Sequence, residues 1–153
     1  MKQILFVCTG NTCRSPMAAA LFNRLAAREL QGRGYEAVSA GLSAMDGAPA
    51  SKNAMRAMDS YPDADLSHHR SRQLMHDDVK NAFLVLAMCR SHKQHILSMY
   101  PEAYQKVYTL KEYSYGAQAD INDPFGGDES VYRQSAEEIA RAVEKLVEKL
   151  KII

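Results

Sequence analysis

Short, wholly apolar runs alternate along the chain with longer stretches whose apolar residues recur every three or four positions. Gln3–Val7 (QILFV) is the first run and reads as a buried strand entering a loop at Cys8. Met17, Leu21 and Leu25 then recur at helical spacing, with alanines between them. Ser15 reads as the N-cap of that helix and Pro16 as its first residue, and Gly32 and Gly34 stop it. Tyr35–Ser39 is a second short strand, closed by Gly41. Lys52–Met58 and Gln73–Asn81 are further helices, and Phe83–Met88 (FLVLAM) has the continuous apolar character of a central parallel strand. Ser91–Met99 reads as helix ended by Pro101, and Lys106–Leu110 as a fourth strand. Residues 114–129, which include Gly116, Gly126, Gly127 and Pro124, read as loop. The last helix carries an apolar stripe of Ile139, Val143, Leu146, Val147 and Leu150, with Ser135 and Glu138 as the capping box that opens it.

Strands that alternate with helices predict an α/β fold. The expected architecture is a three-layer sandwich, with a four-stranded parallel sheet flanked by helices on both faces. Ligands in such folds bind beyond the C-terminal ends of the strands, and the loop that begins at Cys8 is such a place.

Composition narrows this picture without redirecting it. With 153 residues, 46% hydrophobic and 24% charged, the chain suits a single domain over residues 1–153 that needs no disulfide or metal to hold it. Nineteen basic against 18 acidic residues leave a net charge of +1, so no broad nucleic-acid or membrane-binding face is expected. Three cysteines, no signal-peptide core and no membrane-length apolar stretch point to a cytoplasmic protein. His68, His69, His76, His92 and His95 make no metal motif with cysteines or carboxylates, so neither a metal nor an organic cofactor is expected.

The chemistry concentrates in residues 8–15, Cys-Thr-Gly-Asn-Thr-Cys-Arg-Ser. A short Gly-containing loop between a strand and a helix can turn successive backbone N–H groups into one concavity that binds an anion. The following helix adds its positive end, and Arg14 offers a fork of donors to two oxygens of a tetrahedral oxyanion. Cys8 at the base of this cradle lies in a field that favours thiolate over thiol, and so becomes a nucleophile for phosphoryl transfer. The leaving group then needs a proton. Asp123, stiffened by Pro124, is one candidate acid, and Asp120 in the same stretch is the other.

The run Cys8–Ser15 followed by Pro16-Met17-Ala18, with Asp123-Pro124-Phe125 near the C-terminus, resembles the low-molecular-weight protein-tyrosine-phosphatase family. Ser39-Ala40-Gly41, His69–Gln73 and Phe83–Met88 extend the likeness over nearly the whole chain. The resemblance implies that Cys8 is the nucleophile, Arg14 the phosphate clamp, and Asp123 the acid and then the base for the water that releases inorganic phosphate. It implies that Thr9, Gly10, Asn11, Thr12, Cys13 and Ser15 form the phosphate-binding loop. Within it, Asn11 shapes the loop and Ser15 steadies the Cys8 thiolate, while Phe125 borders the substrate. Ser39 and His69 support the loop from behind. It also implies that Cys13 can form a reversible disulfide with Cys8.

Thr12 bears on the substrate. Tyrosine phosphatases that this chain resembles usually carry a bulky aliphatic residue there, and many have paired aromatics where this chain has Phe125-Gly126-Gly127. Both departures resemble the protein-arginine phosphatase branch. A hydroxyl can accept from a guanidinium leaving group, whereas an isoleucine would leave its donors unpaired at a cost of about 1–3 kcal/mol. Phosphoarginine on proteins is thus the expected substrate, with phosphotyrosine as the alternative. Arsenate reduction on a similar loop needs two further relay cysteines, and residues 83–100 supply only Cys89. A non-catalytic phosphate-binding or thiol-redox module has no use for the acid.

Overall fold

A computed structural model describes residues 1–153. Four strands, β1 (Lys2–Cys8), β2 (Tyr35–Gly41), β3 (Leu84–Ala87) and β4 (Val107–Thr109), form one sheet in the order β2-β1-β3-β4. Every pairing is parallel. The expected sandwich is therefore the one observed.

β1 is central because both of its faces are apolar. Ile4, Phe6 and Cys8 face α1 (Arg14–Glu29) and α6 (Glu129–Lys151), where Phe6 meets Phe22 in a tilted aromatic pair. Leu5 and Val7 face the smaller cluster of Val79, Val85, Ala87 and Ile96, beneath α3 (His76–Asn81) and α4 (Arg90–Met99). α2 (Lys52–Ala57) and α5 (Leu110–Tyr115) pack against α6. Because β1 pairs with a strand on each side, the chain leaves the sheet at Cys8 between the ends of β2 and β3. That is the cleft where the strand order reverses.

Several boundaries differ from expectation, each for a local reason. Cys13, not Ser15, holds the N-cap position of α1, and the Ser15 hydroxyl is occupied inside the loop instead. The expected helix from Gln73 begins only at His76, because Gln73 bridges to Gly41 as extended chain and its side chain bonds Ala44 and Leu42. α4 opens at Arg90, with Cys89 at its N-cap position. The first two residues of the loop expected from 114 are the end of α5, whose capping box pairs the Thr109 hydroxyl with the Glu112 N–H and the Glu112 carboxylate with the Thr109 N–H. α6 starts earlier than Ser135. Asp128 caps it by accepting from the Val131 N–H, while Ser135 is buried and Glu138 pairs with Lys111 at 3.0 Å.

Candidate active site

The loop after β1 is held by its carbonyls. Leu42 N–H donates to the Cys8 carbonyl and Ser43 N–H to the Thr9 carbonyl, both at 2.9 Å. Ser51 N–H donates to the Thr12 carbonyl at 2.9 Å, and Met17 N–H to the Cys13 carbonyl at 3.1 Å. The Asn11 carbonyl lies 2.7 Å from His69 Nε2, and since a carbonyl only accepts, the imidazole carries its proton on that nitrogen. With the carbonyls turned outward, the N–H groups of residues 9–13 donate to no other backbone group and are left for an anion.

Asn11 fixes the curvature. It is fully buried with φ of 58°, a left-handed conformation that asparagine tolerates better than most side chains. Its Nδ2 donates to Ser15 Oγ and Ser39 Oγ, both at 2.9 Å, and its Oδ1 accepts from the Arg72 N–H at 3.0 Å. Because Ser15 Oγ accepts from Asn11, its own proton is free to point at Cys8 Sγ, 2.9 Å away. A buried sulfur at the end of β1 thus receives a donor from the first turn of α1, the arrangement a thiolate nucleophile needs.

Arg14 is almost entirely buried. Its Nη1 donates to the Ile121 carbonyl at 3.1 Å and its Nη2 lies 3.5 Å from Asp123 Oδ2. Its Nε–H has no protein partner, a buried donor left for an oxyanion. Cys8, Thr9, Gly10, Thr12, Cys13, Arg14, Asp123 and Phe125 line one pocket of about 320 Å³. Ser15, Asn11, Ser39 and His69 lie behind it.

The two aspartates are separated by geometry. Asp123 stands at the pocket mouth, half exposed, with its Oδ1 accepting from the Phe125 N–H. Asp120 is engaged elsewhere, accepting from the backbone N–H of Arg90 at 2.9 Å and from its Nε at 3.2 Å. That N–H bond, helped by the guanidinium and opposed by slight burial, holds the Asp120 carboxyl below the usual carboxylate range. A group so held is a poor acid.

Burial, together with the neighbouring Cys8, pushes the Cys13 thiol up to about 11. It therefore remains a thiol at neutral pH although it lines the same pocket.

Residue patterns alone missed three contributors. Gly41 is one: an added Cβ would come within 2.6 Å of the Thr9 carbonyl, so only glycine lets β2 pass this close to the loop. Arg72 contributes a backbone N–H, which no side-chain pattern signals. His92, which no local pattern sets apart from the other histidines, is buried and its Nε2 lies 2.8 Å from Thr9 Oγ1.

A thiol at the floor of an N–H cradle, a buried guanidinium above it and a carboxyl at its mouth, on a parallel α/β sheet, define a cysteine-based phosphatase. The chain belongs to the low molecular weight phosphotyrosine protein phosphatase family, whose model matches residues 3–152. It is 44% identical to a protein-arginine-phosphatase of Geobacillus stearothermophilus, with 97% of this chain and 95% of that protein covered. It is equally similar, at 44% identity, to a low molecular weight protein tyrosine phosphatase from T. tengcongensis, with a TM-score of 0.90 over 97% of this chain and 99% of that one. An arginine phosphatase mutant with a phosphorylated active-site serine also superimposes, at 40% identity and a TM-score of 0.90 over 97% of this chain and 95% of that one. No helix of the structure is long and apolar enough to cross a membrane.

Proposed function

We propose that the protein removes phosphate from phosphoarginine on proteins, through a phosphocysteine at Cys8, as a single phosphatase domain over residues 1–153. In the first step the Cys8 sulfur attacks phosphorus. The P–S bond forms as the P–N bond breaks, and Asp123 gives its proton to the departing guanidine nitrogen. In the second, Asp123 takes a proton from water, whose oxygen attacks phosphorus and displaces Cys8, and inorganic phosphate leaves. Arg14 and the N–H groups of the loop hold the equatorial oxygens throughout, so charge gathers where donors already point. Asn11, Ser15, Ser39 and His69 keep those donors in place.

Equal identity to an arginine and to a tyrosine phosphatase makes overall similarity a poor guide to the leaving group. Thr12 carries the choice. It lines the pocket beside Cys8 and offers a hydroxyl to a leaving group rich in N–H donors. Phosphotyrosine is the second reading, favoured by Phe125, which is 84% exposed at the rim and available to lie against a phenol ring. The measurement that separates them is kcat/KM on matched phosphoarginine and phosphotyrosine peptides, for the wild type and for Thr12→Ile. The proposal expects the wild type to favour phosphoarginine and the variant to shift toward phosphotyrosine. An unchanged ratio removes Thr12 from the argument, and a wild-type preference for phosphotyrosine overturns the first reading.

Two further readings accompany this one. The shared pocket supports a reversible Cys8–Cys13 disulfide that would shield the nucleophile from deeper oxidation. Free cysteines support a cytoplasmic setting.

A further inference from the structure

The third cysteine lies beside the site just described, just past the end of β3. Cys89 holds the N-cap position of α4, a helix of 10 residues, and its sulfur is 3.2 Å from Ser91 Oγ. Its neighbour His92 is buried, with Nε2 at Thr9 and with Nδ1 lacking any hydrogen-bond partner. These residues line a cavity of about 340 Å³ with Asp120, Ile121 and Asn122. Its remaining walls are Thr9, Arg14 and Asp123, which are also walls of the phosphate pocket. An open cavity thus leads past a half-buried thiol to the clamp and acid of the proposed active site.

We infer that Cys89 is a second thiol site, modified by a low-molecular-weight disulfide, and that the attached group obstructs the phosphate pocket from the side. The obstruction rests on the phosphatase reading above; the modification does not. The Cys89 sulfur attacks one sulfur of RS–SR, a new S–S bond forms to the protein, and the old S–S bond breaks. RS⁻ departs and takes a proton from solvent, so the protein sulfur is oxidised, the departing one is reduced, and the disulfide is the only oxidant. A later thiol reverses the exchange.

The surroundings favour this at neutral pH. Burial alone would raise the thiol. The nearby His92 imidazole and its backbone N–H, with the Ser91 hydroxyl 3.2 Å away, overcome it and bring Cys89 to about 6. Cys13, held up at about 11, does not compete.

The test treats the full-length protein with oxidised glutathione while inorganic phosphate occupies the Cys8 pocket. Peptide mass spectrometry then locates the adduct, and hydrolysis of a generic aryl phosphate is measured after the phosphate is removed. One glutathionyl group on the Cys89 peptide is expected, with a rate about tenfold lower that dithiothreitol restores. Cys89→Ser, a favourable N-cap, should keep full activity and stay active after treatment. Cys89→Thr serves as a second such variant. His92→Gln should slow adduct formation about tenfold, read by mass alone. A Cys89 peptide that stays unmodified, an adduct that leaves the rate unchanged, or equal adduct formation in His92→Gln would overturn the proposal. Because the adduct is read by mass and the rate on an aryl phosphate, a failed phosphoarginine preference would not be confused with any of these outcomes.

Discussion

Two loops meet over Cys8, and they are built in opposite ways. Residues 8–15 are clamped: their carbonyls are tied to the segments after β2, Asn11 is bonded on three sides, and Gly41 is pressed against them. Residues 116–128 are tethered mainly at Asp120, Ile121 and Asn122, through Arg90, Met88, Arg14 and Glu138. Beyond those tethers Asp123 and Phe125 face solvent. The contrast fits two different tasks. Charge that develops on phosphate is the same for every substrate, so donors fixed in advance stabilise it without reorganising. The leaving group varies, and an acid on an open arm can meet it from outside.

Four substitutions test whether the two loops divide the work in this way. Cys8→Ser should lose all turnover while still binding phosphate, checked by steady-state kinetics and by phosphate titration. Retained turnover would refute the covalent step. Asp123→Ala should slow a poor leaving group by about 10²–10⁴-fold and an activated phenol far less. Equal losses would mean that the open arm does not supply the proton. Gly41→Ala forces β2 and the Thr9 carbonyl apart, and a displacement approaching 1 Å in the cradle should cost about 10²-fold on every substrate alike. A loss that depended on the leaving group would contradict a cradle common to all substrates.

The smallest effect belongs to Asp120→Asn, which leaves the arm in place. A carboxyl held low adds stability that is complete above its unfolded value and is lost as pH falls through the folded one. The variant should therefore melt slightly below the wild type at neutral pH, with the gap closing as pH falls below about 4. Its kcat should stay close to that of the wild type; a large loss would return Asp120 to the catalytic role.

Much of this was legible in the residue pattern, and what was not has physical reasons. Apolar runs such as Gln3–Val7 and Phe83–Met88 reveal buried strands because both their faces need cover. The Cys8-to-Arg14 spacing reveals a cradle because strand, glycine-containing loop and helix follow in order. Ser15 misled as a cap because a serine at a helix start has two uses, and here the oxygen serves sulfur. Ser135 and Glu138 misled because they hold the preceding loop to the side of α6. The box at Thr109 and Glu112 was readable but masked by the strand before it. Gly41 and the Arg72 N–H act through backbone approach across the fold, and no local pattern carries that information.

The cradle has one more consequence, thermodynamic rather than catalytic. Its unpaired N–H groups and the lone Nε–H of Arg14 are donors that folding has assembled without acceptors. An oxyanion completes the native state and has nothing comparable to hold in the unfolded chain. Phosphate, arsenate, vanadate and sulfate should therefore each raise the melting temperature, by an amount equivalent to roughly 2.7 kcal/mol at about 100 times the dissociation constant. Ranked by that rise, the four ions should fall in the same order as their potency as competitive inhibitors. On the proposed mechanism the product, inorganic phosphate, is then also a ligand that stabilises the folded state.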